Sequence, residues 1–267
     1  MKIYISADIE GITGTTDWSE VTKSSDEYTQ FQEQMTKEVC AACEGAFEAG
    51  ATSIVVKDAH STARNIIAGK LPEKVKLIRG WSRHPYMMMQ EIDKSFDAAF
   101  MIGYHSAAGA GGNPLAHTMS SAKVADIEIN GHALVSEFFL NTYTAALEQV
   151  PVVFLSGDKE ICREAKKLLP EITMVSVKDG HGGSTINIHP DEAIERIRAA
   201  AKKALKKPPA PFNFELPEYF TIQTTYFDIK DAYKVSFYPG SKLVSPKTIL
   251  FEADNYFDVL RMLMFTL

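Results

Sequence analysis

The sequence predicts an α/β fold, a mostly parallel sheet flanked by helices, and two observations carry that prediction. Short β-branched runs alternate with longer helical patterns, the signature of βαβ units. The chain has 267 residues, 45% of them hydrophobic and 23% charged, enough for one large globular domain or one with a small appendage.

The strand-like runs are residues 2–8, 52–58, 74–80, 98–105, 150–158 and 172–179. Helices are expected near 26–49, 83–94, 137–148, 158–169 and 190–206. The last of these carries Asp191 and Glu192 in its first turn and lysines near its end, as the helix dipole prefers. One insertion interrupts the alternation: "ADIEINGHALV" places Asn130-Gly131 between alternating residues, which predicts a β-hairpin with a type I′ turn. "KKPPAPF" (206–212) reads as a linker, because Pro208 and Pro209 cannot continue a helix. Beyond it, "YFTIQTTYF", a short helix, "SKLVSPKTILFEA" and a closing helix at 254–265 make a small C-terminal α+β subdomain. The expected division is 1–207 for the main domain and 208–267 for this unit. A unit that small is marginal alone, so it is expected to pack on the main domain or on a neighbouring subunit.

Several function classes are disfavoured at this level. A net charge of −6 gives no electrostatic footprint for nucleic acid or an anionic membrane. No apolar run is long enough to span a bilayer, and Met1-Lys2 leads into a short strand, not a signal peptide. Three cysteines argue against a disulfide framework and for a cytoplasmic protein. Cys40 and Cys43 form a C-x-x-C within an amphipathic helix; with no second pair to complete a zinc site, they read as core packing.

The chemistry gathers at strand ends. "SADIEG" ends the first strand with Asp8 and Glu10 two residues apart, so both leave on one side. Two ionised carboxylates that close together repel unless something positive sits between them. In an open parallel sheet, ligands bind outside the carboxyl ends of the strands. The second strand ends "KDAHS" with Asp58 and His60, and the third main strand ends "GYHS" with His105. Mixed oxygen and nitrogen donors of this kind suit Zn²⁺, with Mn²⁺ or Co²⁺ as alternatives. "LVSEFF" adds Glu137 and "LAHTMSS" adds His117. These are more groups than one metal with an open position needs, so a two-metal site bridged by a carboxylate is the economical arrangement.

"SADIEG", "KDAHS", "GYHS", "AHTMSS" and "INGHALVSEFFLNTY" stand in the order and approximate spacing of the zinc D-aminopeptidase family, which the sequence resembles through most of its length. The resemblance implies that Asp8, Glu10, His60, His105 and Glu137 bind two zinc ions, with Asp8 as bridge and His117 as the catalytic histidine. It also implies a homodecameric ring enclosing the active sites, with the C-terminal unit in subunit assembly. The expected reaction is release of an N-terminal residue from short peptides, such as D-Ala-D-Ala, with His117 as acid/base or oxyanion stabiliser. Asp58 is a candidate to fix the His60 imidazole. The Gly- and Ala-rich loop "HSAAGAGGNPLAH" (105–117) suggests a pocket for small side chains. "KDGHGGSTINIHP" (178–190) departs from the family pattern, and His181 within it reads as a loop histidine. His84, His132 and His189 are assigned surface or structural roles. Other two-metal hydrolases, L-peptide or amide hydrolases and phosphoesterases, remain alternatives, as does a non-catalytic dipeptide-binding protein.

Overall fold

The computed structural model describes residues 1–206 and 214–267. In chain order its elements are β1 (Lys2–Ala7), α1 (Trp18–Val21), α2 (Tyr28–Glu48), β2 (Ser53–Asp58), β3 (Val75–Ile78), β4 (Ala98–Tyr104), β5 (Val124–Ile129), α3 (Glu137–Leu147) and β6 (Val152–Asp158). There follow α4 (Lys159–Leu168), β7 (Thr173–His181), β8 (Ser184–Asn187), α5 (Pro190–Lys206), β9 (Phe220–Tyr226), α6 (Ile229–Val235), β10 (Lys242–Ser245), β11 (Thr248–Ala253) and α7 (Tyr256–Thr266). The expected linker at 206–212 lies almost wholly outside the described residues, as does the expected boundary at 207/208. No described helix is long and apolar enough to cross a membrane.

The main sheet has seven strands in the order β3-β2-β1-β4-β6-β7-β8. All neighbours are parallel except β7 and β8, which form a hairpin. The strand order reverses between β1 and β4: from β1 the chain moves outward through β2 and β3, then returns to β4 on the other side. That is the switch point where open α/β sheets form ligand sites. Here the two backbones touch. A Cβ on Gly11 would lie 1.8 Å from the Tyr104 carbonyl oxygen, and one on Gly103, at φ +72°, 2.3 Å from that of Asp8. Only glycine permits such an approach.

One face of the sheet packs Ile3, Ile5, Phe100 and Phe154 against Met35, Val39 and Cys43 of α2 and Ile197 and Ala201 of α5. The other packs Tyr4, Met101 and Leu155 against Phe138 of α3 and Ile161 of α4. Cys40 donates to the Lys70 carbonyl and Cys43 is buried, so both thiols are packing residues, as expected. The second sheet, β10-β11-β9-β5, is antiparallel. With α3 and α7 it closes a separate core around Phe220, Tyr256 and Leu260.

Three segments differ from expectation. The helix near 83–94 is a single 3₁₀ turn at Met87–Met89. The carbonyls of Met88 and Gln90 accept hydrogen bonds from Ser6 and Tyr4 of the sheet, and Arg83, Met87 and Glu91 have positive φ, so no helical ladder forms. The type I′ turn is present, Asn130 at φ 51° and Gly131 at φ 79°. Its return arm, however, is one bridge, Ile129 to His132, plus the Val135 amide on the Ile127 carbonyl, interrupted by Leu134 at φ 55°. The outgoing arm, β5, finds its main partner in β9. In "KDGHGGSTINI" the strand runs on to His181 and turns through Gly182-Gly183 into β8.

Candidate metal centre

Each expected group arrives from the carboxyl end of a strand or from the loop beyond it. Asp8 and Glu10 follow β1, His60 follows β2, His105 follows β4, and Glu137 opens α3 after the Ser136 cap. His117 lies in the long connection between β4 and β5. Asp8, Glu10, His60, His105 and Glu137 are all buried. His105 has no exposed side-chain surface, whereas His117 keeps 12%.

Asp8 occupies the centre. Its Oδ1 lies 3.3 Å from His60 Nδ1, and its Oδ2 lies 3.5 Å from His105 Nε2. Glu10 Oε2 stands 2.9 Å from His60 Nδ1 on one side. On the other, Glu137 Oε2 is 3.4 Å from His105 Nε2 and Glu137 Oε1 is 3.6 Å from His117 Nε2. Two overlapping donor groups result, Asp8–Glu10–His105 and His105–His117–Glu137, each with its ligand atoms within 4.8 Å of one another. His60 joins the first through its contacts with Asp8 and Glu10.

All three imidazoles are held in the same manner. His60 Nε2 meets the Val21 carbonyl at 2.8 Å, His105 Nδ1 the Ser106 carbonyl at 2.9 Å, and His117 Nδ1 the Leu115 carbonyl at 2.9 Å. A backbone carbonyl accepts only from N–H, so the nitrogen left to each ring is the one that faces the carboxylates, and its lone pair is free for a metal once that nitrogen carries no proton. Glu10 Oε2 and His105 Nε2 are buried without a hydrogen-bond partner; His60 is close to the former but out of line. Unpaired buried polar atoms are costly, and a cation between them would remove the cost. An oxygen-and-imidazole donor set with each ring fixed through its second nitrogen fits a divalent metal.

The charges are consistent with that fit. Burial by itself would lower the His60 and His105 values, but the carboxylates outweigh it. Glu10 and then Asp8 hold His60 well above its ordinary value, and Glu137 and then Asp8 do so for His105. Burial would raise Asp8, but the His105 and His60 imidazoles beside it hold it well below the usual carboxylate range.

A second layer of residues sets the loops. Asp158 accepts from the Ser106 amide and hydroxyl and from Asn113, and Asn113 also donates to the Glu10 carbonyl. Buried Lys178 donates to that same carbonyl and to Thr15, at 2.7 Å to both its carbonyl and its hydroxyl. Asp58 does not touch the His60 ring, contrary to expectation. It binds the Asn65 and Ile66 amides and the Asn65 side chain, which in turn donates to the His60 carbonyl. Asp58 thus anchors the loop, and Val21 orients the imidazole.

The cluster opens into a cavity of about 360 Å³. Its apolar walls include Trp18, Val21, Trp81, Met88 and Met119, with Trp18 packed edge-on against His117 at 5.4 Å. Of the loop 105–117, only His117 lines this space, so the glycines and alanines do not shape it. Neither tryptophan was legible in the sequence, because no local pattern links a residue after β1 to one after β3. Asp158 did carry a signal, a carboxylate at the end of β6 on the same rim. His181 sits on the β7–β8 hairpin near Asp179, largely exposed. His84 packs on Tyr86, His132 on Phe139, and His189 accepts the Asp191 amide, all away from the cluster.

An open α/β sheet with this donor set at its switch point has the layout of a metallohydrolase. The sequence profile of the D-aminopeptidase family of peptidases matches residues 1–265, and the chain belongs to that family. A D-aminopeptidase of Bacillus subtilis (strain 168) is 28% identical over 260 residues, which cover 97% of this chain and 93% of that protein. A solved zinc-dependent D-aminopeptidase from Bacillus subtilis, a self-compartmentalizing protease, has a TM-score of 0.92 at 27% identity over 100% of this chain and 96% of its own.

Proposed function

We propose that this chain is a zinc-dependent aminopeptidase that releases the N-terminal residue, of D configuration, from short peptides such as D-Ala-D-Ala. Asp8, Glu10, His60, His105 and Glu137 would hold two zinc ions, with Asp8 between them. The observation that carries this reading is the pair of imidazoles on opposite oxygens of Asp8, each ring pinned by its other nitrogen to a backbone carbonyl. Charge supports the count of two: against three carboxylates, one divalent ion leaves the site net negative, whereas two leave it positive, suited to a carbonyl gaining negative charge.

Bound zinc supplies polarisation of the scissile carbonyl and activation of water near neutral pH. The protein supplies position and proton transfer. With zinc held on Asp8, Glu10 and Glu137, the floor of the cavity would also offer the substrate's free α-amine a place to bind, which would favour an N-terminal residue. His117 Nε2 faces the same space, with solvent access that His105 lacks, and is placed to take a proton from water and return it to the leaving amine. Among the described residues lining the cavity there is no lysine or arginine, which disfavours a phosphomonoester substrate.

We infer a cytoplasmic homo-oligomer, a decameric ring by family resemblance, with the C-terminal unit in the contacts. Phe227, Ile229, Tyr233, Phe237 and Phe265 of that unit are more than half exposed, which supports a covering partner. Light scattering on the purified protein tests the assembly.

Metal content and hydrolysis of D-Ala-D-Ala, measured together on the wild type and Asp8→Ala, test the function. About two zincs per chain with turnover, both lost in the variant, is the expected result. Equal and negligible zinc in the two proteins would remove the basis of the reading.

A further inference from the structure

We propose that the cavity selects peptides whose N-terminal residue has a large apolar side chain, leucine- or phenylalanine-like, over alanine. This rests on the aminopeptidase reading and goes beyond it by naming the side chain. The apolar walls are joined directly to the groups that face the metal site. Val21 accepts from His60 through its carbonyl, Trp18 packs against His117, and the Met119 amide donates to Glu137 at 2.7 Å. Trp81 donates through Nε1 to the carbonyl of Ser61, the residue after His60, at 2.7 Å. A residue whose amine and carbonyl rest on the metal-holding floor therefore has its side chain against these walls.

The walls are also fixed. The Lys57 ammonium lies 4.1 Å from the Trp81 ring centroid and donates to the Gly80 carbonyl at 2.6 Å, and the Met88 carbonyl accepts from Ser6 of the sheet. At about 360 Å³ the space falls within the range of sites that enclose drug-sized ligands, about 300–1,000 Å³. The same space also takes the peptide backbone over the metal site; within it an alanyl methyl would leave the tryptophan and methionine faces to water, while a leucyl or benzyl group would cover them. Each methylene so buried is worth roughly tenfold or more in discrimination.

The test compares the zinc-loaded protein on D-leucinamide and D-alaninamide, which share one leaving group. In parallel, binding of D-leucine and D-alanine is followed by fluorescence, since both tryptophans of the chain line the cavity. The expected result is kcat/KM at least about tenfold higher for D-leucinamide and correspondingly tighter binding of D-leucine. Trp81→Ala, a change at a partly exposed side chain, is expected to reduce both ratios severalfold. Hydrolysis of D-alaninamide as fast as or faster than D-leucinamide overturns the preference and leaves the aminopeptidase reading intact. Tighter D-leucine binding without hydrolysis of either amide upholds the preference and overturns that reading. Equal fluorescence responses with no hydrolysis overturn both.

Discussion

The rings of His105 and His117 lie stacked, centroids 4.3 Å apart and planes 13° from parallel, with Glu137 reaching both. Proximity makes either ring a donor to the same ion, but their surroundings differ. His105 is enclosed and also faces Asp8, whereas His117 faces the cavity. The two should therefore separate under mutation. His105→Asn is expected to lose metal. His117→Asn is expected to keep its zinc while kcat falls about 10²- to 10⁴-fold, the usual contribution of a general acid/base. Elemental analysis beside steady-state kinetics checks this, and loss of metal in His117→Asn would make that ring a ligand.

Metal binding should release protons. Without metal, the carboxylates favour the protonated form of His60 and His105, and a metal accepts only the unprotonated nitrogen. Zinc binding at pH 7 is expected to displace about two protons, and affinity to rise with pH until both rings titrate. Calorimetry in buffers of different ionisation enthalpy counts them. A proton count near zero would mean the rings are already neutral.

The parts of this centre that the sequence revealed are those fixed by strand ends. Asp8, Glu10, His60 and His105 follow β-branched runs whose boundaries are legible, and a parallel sheet brings those ends to one rim. His117 lies within the long connection between β4 and β5 and Glu137 beyond it; the sequence offered both as candidates, and the family resemblance supplied their roles. The pairing of β5 with β9 joins residues 93 to 102 positions apart through alternation that either strand could satisfy with another partner. The 83–94 segment carries helical apolar spacing, but Tyr4 and Ser6 take its carbonyls. That is a tertiary override with no local mark. Asp58 shows the same limit: its place beside His60 was visible, but its partner was not.

Lys178 should support the centre without touching metal. Its ammonium is buried and donates to the Glu10 carbonyl and to Thr15, so it fixes the loop that presents Glu10. Lys178→Met removes those donors while keeping the stem. Zinc affinity is expected to fall about 10- to 100-fold, the range for residues that orient ligands. Competition with a chromogenic chelator measures it. Unchanged affinity with lower thermal stability would assign Lys178 to folding alone.

Glu38 supplies a prediction about stability that is independent of the metal. Its carboxyl is enclosed between α2 and the Thr13 loop, where Oε1 accepts from the Thr13 amide and Gln34 at 3.0 Å each, while Oε2 has no partner. Burial pushes its value up to about 7, against partial relief from those hydrogen bonds and from Lys178. A carboxyl raised on folding binds its proton more tightly in the native state, so stability falls as pH rises from about 4.5 to about 7. The loss it contributes above that range is of order 3 kcal/mol at most. Glutamine keeps the acceptor at Oε1 and removes the charge. Glu38→Gln should therefore be more stable than the wild type at pH 8, and this advantage should shrink or reverse at pH 5, as followed by urea unfolding of the metal-free protein. A stability difference that does not change between the two pH values would show that Glu38 is ionised and paired in the native state.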